Sequence, residues 1–220
     1  MGTAVKFPRR LGYSGAMSDH GEIRDRIIDA SVAASIIDAT TARIVHYGFG
    51  KTSMADIAGD CGMSPGNLYR YFVNKMGIAE AVSRRGYEAI FLEVRKEVST
   101  LGMTAAERLE SFCLATLRAT HAQLAQGSHM VEFAHLLNAK RPGLGQSARA
   151  TMRGVLTEIL DQGVESGGFM IEDIPAAAEA IQAATFKFWY PQTHSPEPLE
   201  HLERELRSVV ALLLKGLLTR

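Results

Sequence analysis

The stretch TSMADIAGDCGMSPGNLYRYFVNK, residues 52–75, crowds together side chains suited to holding a nucleic-acid duplex rather than to breaking a bond. Asn67 carries a donor and an acceptor side by side, the arrangement that pairs with an adenine edge in the major groove. Tyr69 offers a ring that can lie against a thymine methyl, and Gly66, next to Pro65, permits close backbone approach. The hydroxyl of Tyr71, the ammonium of Lys75 and the helix starts at Thr52, Ser53 and Ser64 supply donors of the kind that bind phosphate. Arg70 suits either role. The competing reading is that Tyr69, Tyr71 and Phe72 form an ordinary aromatic cluster, and Phe72 is expected to bury in that way.

Other chemistries fit less well. GFGKTS at 48–53 ends like a phosphate-binding loop, but the glycine such a loop needs five residues earlier is replaced by Val45, in helical sequence. His129, Glu132 and His135 sit at three-residue steps; on a helix each step drifts by about 60°, so the two imidazoles diverge by about 120° and do not converge on one ion. Cys61 and Cys113 are far apart with no metal-ligand spacing, which fits a reducing, cytoplasmic setting, and no GxSxG is present. We expect no catalytic residue, metal site or cofactor.

The donors at 52–75 require two short helices to hold them. Ser53 can cap a helix over Met54–Asp60, with Asp56 completing a capping box at its positive end. Ile57 and Ala58 face inward, Gly62 permits a left-handed bend, and Met63 fills the corner. Ser64 caps a second helix with Pro65 in its first turn, and Leu68 points back at the first helix. A small residue, a turn glycine four positions on and an apolar residue six beyond that give the spacing of a helix-turn-helix: Ala58, Gly62, Leu68. A reading helix of two turns enters the groove by its leading end, which places Pro65, Gly66, Asn67 and Tyr69 at the bases.

The flanking residues extend this pattern. Gly48, Thr52, Ile57-Ala58, Gly62, Ser64, Leu68-Tyr69, Tyr71-Phe72 and Asn74-Lys75 resemble the DNA-binding domain of the TetR family of transcriptional regulators over roughly residues 35–82. The preceding helix departs from that pattern at Thr40, Arg43 and Ile44, where Ala, an apolar residue and Phe are common. The resemblance implies a dimeric regulator, most often a repressor, that binds a palindromic double-stranded DNA operator. It also implies a divergent second domain that takes a small-molecule effector and forms a homodimer through its last two helices.

The rest of the chain agrees with a helical protein. Its 220 residues are 46% hydrophobic, with 24 basic and 24 acidic side chains, so overall charge points to neither nucleic acid nor membrane. No apolar run reaches the roughly 18 residues of a membrane span. We expect an all-α fold with three parts: a loose arm over 1–21, a three-helix helix-turn-helix domain over 22–75 and a larger helical domain over 76–220. The arm, with Lys6, Arg9 and Arg10, is either an unstructured leader or a basic strand along the DNA backbone. RIIDASVAA and SIIDATTAR repeat nine residues apart, which sets their Ile pairs on opposite sides of one rod, and Ser35 with Asp38 reads as a cap where a new helix begins.

Further helices are expected near 76–100, 104–126, 128–139, 145–166, 173–190 and 197–218, broken by Gly and Pro. In the last, Leu199, Leu202, Leu206, Val209, Val210, Leu213, Leu214 and Leu217 form an apolar stripe that needs a partner, part of it a second chain. Candidate effector-pocket residues are Phe112, Met130, Phe133, His135, Phe169 and Trp189. A second reading is a helical protein–protein interaction module without DNA binding; steep salt dependence of binding separates the two.

Overall fold

The computed structural model describes residues 19–189 and 197–218, with side chains from residue 29 onward. Most of the expected arm, the side chains of the first Ile pair of the repeat and most of the Pro-rich turn before the last helix lie outside what is described. Among the described residues every long element is helical. Three helices make the head: α1 (Asp19–Tyr47), α2 (Met54–Asp60) and α3 (Pro65–Tyr71). Five more follow: α4 (Lys75–Val98), α5 (Ala105–Leu124), α6 (Ser128–Lys140), α7 (Pro142–Glu165) and α8 (Ile174–Ala184). A 3-10 turn over Phe186–Trp189 and α9 (Leu199–Leu217) complete the order.

Ser35 does not cap a new helix. It lies inside α1 and its hydroxyl donates to the Ser31 carbonyl at 3.1 Å, a bond that a mid-helix serine makes without ending the helix. Pro142 starts α7 earlier than expected because proline is tolerated in a first turn. Thr185 ends α8, donating its hydroxyl to the Ile181 carbonyl at 2.8 Å, so the expected helix over 173–190 is an α-helix followed by a 3-10 turn.

The buried side chains form two cores. The first gathers Ile36 and Ile44 of α1, Phe49, Ile57, Ala58, Leu68, and Ile78, Ala79 and Val82 of α4. The second gathers Val94 and Val98 of α4 with Leu109, Phe112 and Leu117 of α5, Leu156 and Leu160 of α7, and Leu202, Leu206 and Val210 of α9. Each fully buried Leu or Ile contributes roughly 1.5–3 kcal/mol. α4 therefore belongs to both cores, its first half fixed to the head and its second to the larger domain. α6 lies well past residue 75, yet its Met130, Phe133 and Leu137 complete the head's core.

Candidate nucleic-acid interface

Local sequence dictates the corner. Ser53 accepts a hydrogen bond from the Asp56 amide at 3.2 Å, while the Asp56 carboxylate accepts from the Ser53 amide at 2.9 Å and hydroxyl at 2.7 Å. Those bonds hold the Asp56 carboxyl below the usual carboxylate range, the Ser53 hydroxyl first among the causes. Gly62 takes φ of 63°, a conformation that favours glycine, and the chain turns into α3. Ser64 then accepts from the Asn67 amide at 3.2 Å, with Pro65 at the first turn. Ala58 and Leu68 are fully buried, so the two helices cross closely and the outer face of α3 is fixed in place.

That outer face is open. Ser64, Pro65, Gly66 and Arg70 are exposed, Tyr69 is 51% exposed, and Asn67 and Tyr71 are half-buried. Among the described residues, no hydrogen bond or ion pair engages the Asn67 amide group, the Tyr69 and Tyr71 hydroxyls or the Arg70 guanidinium. Phe72 and Tyr71 pack partly against the head's core. Of the first three residues of α3, Pro65 has no N–H and Asn67 spends its own on Ser64, which leaves the Gly66 N–H outward. A Cβ on Gly66 would meet nothing nearer than Ser64 Oγ at 4.0 Å, so the fold itself does not call for glycine there.

Two expected phosphate donors face inward instead. Thr52 is buried; its hydroxyl donates to the Gly48 carbonyl at 2.9 Å and its amide to the Phe49 carbonyl at 3.2 Å. The Lys75 ammonium donates to the carbonyls of Phe49 at 3.0 Å and Thr52 at 2.7 Å, and sits 4.3 Å from the centroid of the Phe49 ring. Thr52 spends both its donors and Lys75 two of its three N–H bonds here, because residues 49–52 form a tight turn whose carbonyls need partners. Ser53, though exposed, likewise directs its hydroxyl and amide to Asp56.

Spacing along the chain gave no sign of several contacts that hold this surface. Arg43, the departure noted in the first helix, clamps α1 to α2: its Nε donates to Asp60 Oδ2 at 2.5 Å and its Nη2 to Oδ1 at 2.8 Å. The hydrogen bond from Arg43 is the main cause holding the Asp60 carboxyl below its ordinary range. Thr40 is buried with its hydroxyl on the Ile36 carbonyl at 2.7 Å. His129, at the start of α6, places Nδ1 at 3.1 Å from the Val45 carbonyl, so the nitrogen carries the proton and donates. The Phe49 and Phe133 rings meet with centroids 5.5 Å apart.

The six candidate pocket residues do not share one cavity. Phe112, Phe169 and Trp189 lie in the larger core, Met130 and Phe133 complete the head's core, and His135 is exposed. An amphipathic helix shows which residues bury but not against which neighbour, and α6 buries Met130 and Phe133 against the head. Phe169 occupies the space over Gly163, where a Cβ would lie 2.2 Å from ring Cδ2. A surface groove of about 260 Å³ runs between α4 and α5, lined by Gly86, Ala89, Ile90, Ala119, Ala122 and Gln123, among others. Burial pushes the Cys113 thiol up to about 12, which makes it unreactive. No described helix is long and apolar enough to cross a membrane.

Comparison with known proteins covers both halves. Residues 36–82 match the family described as bacterial regulatory proteins, tetR family, and residues 105–210 match the tetracyclin repressor-like C-terminal domain. The transcriptional repressor KstR2 of Mycobacterium tuberculosis is 25% identical over 137 residues, 61% of this chain and 67% of that protein. The solved structure of that ketosteroid transcriptional regulator overlays with a TM-score of 0.53 at 22% identity, covering 86% of this chain and 95% of that one. The fatty acid degradation regulator FadR of Bacillus halodurans overlays with 0.63 at 20% identity, over 83% and 94%. A TetR-family regulator from Mesorhizobium loti overlays with 0.66 at 16% identity, over 87% and 98%.

Proposed function

The chain belongs to the TetR family of bacterial transcriptional regulators, and on that premise we propose that it is an effector-responsive repressor that binds a palindromic operator as a homodimer. The observation that carries this reading is the outward, unengaged set Gly66, Asn67, Tyr69 and Arg70 on a helix pinned from behind by Leu68. Asn67 and Tyr69 read base edges. Tyr71, the Ser64 start of α3 and Arg70 hold the backbone. Thr52 and Lys75 serve this surface from within.

Two reading helices must reach half-sites roughly 34 Å apart, which one copy cannot do. The surface available for a partner copy is the exposed small-residue face of α8, with Ala176, Ala180, Ala183 and Ala184, and Leu212 on α9, which is 71% exposed. Leu202, Leu206 and Val210 of the apolar stripe, on the other side of α9 from Leu212, are spent inside the chain. Similarity to proteins described as a ketosteroid transcriptional regulator and a fatty acid degradation regulator favours an effector with a large hydrocarbon surface. Such a molecule would act by fitting better to a dimer whose heads are splayed, drawing the population away from the DNA-bound form.

Selection of bound duplexes from a random pool tests the reading. It should enrich a two-fold symmetric sequence, with log affinity falling steeply against log salt. An unenriched pool would remove it.

A further inference from the structure

Lys75 stands in an unusual electrostatic position. It is the first residue of α4, where the helix dipole is positive and a cation is disfavoured. No carboxylate pairs with it among the described residues. What holds its ammonium is the turn between α1 and α2: the Phe49 carbonyl at 3.0 Å, the Thr52 carbonyl at 2.7 Å and the face of the Phe49 ring at 4.3 Å. Thr52 immediately precedes Ser53, the cap of α2, so the bond at 2.7 Å ties the start of α4 directly to the start of α2.

The same turn is anchored from its other side. Gly48 takes φ of 82° to end α1, the Thr52 hydroxyl closes back on its carbonyl, and the Phe49 ring meets Phe133 of α6. Phe49 is thus held between a cation on α4 and an aromatic ring on α6. Loss of the ammonium would leave the Thr52 carbonyl without the donor that reaches it, which costs free energy in a part-buried place.

We propose that Lys75 is a positioning residue for DNA binding: its ammonium sets the spacing of the α2 and α4 starts, and acts on the duplex through that spacing without touching phosphate. This rests on the reading that the α3 face meets DNA, and the test separates the two claims. Lys75→Met keeps the unbranched stem as far as its ε position and removes the ammonium. In the protein without DNA, hydrogen exchange at the Thr52 amide and through α2 should rise on the order of tenfold, while α5 and α7 amides stay unchanged. Affinity should fall evenly across sequences, and the slope of log affinity against log salt should remain that of the wild type.

A phosphate contact gives the opposite pair: unchanged exchange, and a salt slope reduced by about one. That result would overturn the proposal. Should Lys75→Met not fold, the wild-type ammonium signal decides by magnetic resonance. Slow proton exchange before any DNA is added supports the strut, and slowing only on addition of the selected duplex overturns it. A wild-type protein that binds no duplex would sink the functional reading, yet the exchange comparison would still decide the role of Lys75.

Discussion

Gly48 and His129 meet where α1 ends and α6 begins: a Cβ on Gly48 would lie 3.2 Å from His129 Cδ2. Gly48 also holds φ of 82°, and the imidazole donates to the Val45 carbonyl beside it. Gly48→Ala should therefore destabilise the protein by about 1–2 kcal/mol from the backbone alone. Denaturant unfolding measures it. In a His129→Ala background the crowding is gone and the φ strain remains, so the loss should shrink without vanishing.

Gly66 supports the opposite expectation. Nothing crowds a Cβ there, and alanine suits a helix better than glycine by up to about 1 kcal/mol. Gly66→Ala should leave the unfolding midpoint equal or raised while weakening operator binding about tenfold, because the added methyl meets the duplex. Equal loss of stability and binding would place Gly66 among residues that serve the fold only.

The Arg43–Asp60 clamp has a pH signature. The Asp60 carboxyl is held below the ordinary value of about 4, so its stabilising effect is complete above that pH and is lost as pH falls through the lowered folded value. Asp60→Asn should unfold at lower temperature than the wild type at pH 7, with the gap closing below about pH 4. A gap that stays constant down to pH 2 would show that the clamp does not depend on the carboxylate's charge.

Leu212 tests the second copy. It is an exposed leucine on a helix whose other leucines are buried or partly buried, so Leu212→Glu should keep the monomer fold. Sedimentation should then show a shift from dimer to monomer at micromolar concentration, and affinity for the full operator should fall to that for a half-site. An unchanged dimer would move the interface elsewhere.

The corner could be read from the chain because its determinants are local. Ser53 with Asp56, Ser64 with Pro65, and Gly62 each act within one turn, and Ala58 and Leu68 face each other across it. Most of the later helix boundaries fell within a few residues for the same reason, while α8 stops at Ala184, six residues before the expected end. Longer-range facts left no such mark. Ser35 can bond back to Ser31 as readily as it can cap, so α1 runs on through it. Lys75 finds its acceptors 23 and 26 residues earlier, and α6 finds the head's core; neither pairing has a period or spacing to betray it. Arg43 pairs with Asp60, 17 residues away, a partner that no local spacing indicates.

The most direct test is a specificity profile of wild type and Asn67→Ala on the selected operator, with each base pair of the half-site substituted in turn. A side chain reading one adenine is worth about 1–3 kcal/mol of discrimination. The account predicts that Asn67→Ala loses preference at one base pair in each half-site and keeps it at the others. Two profiles of the same shape, differing by nothing or by a uniform offset, would contradict it.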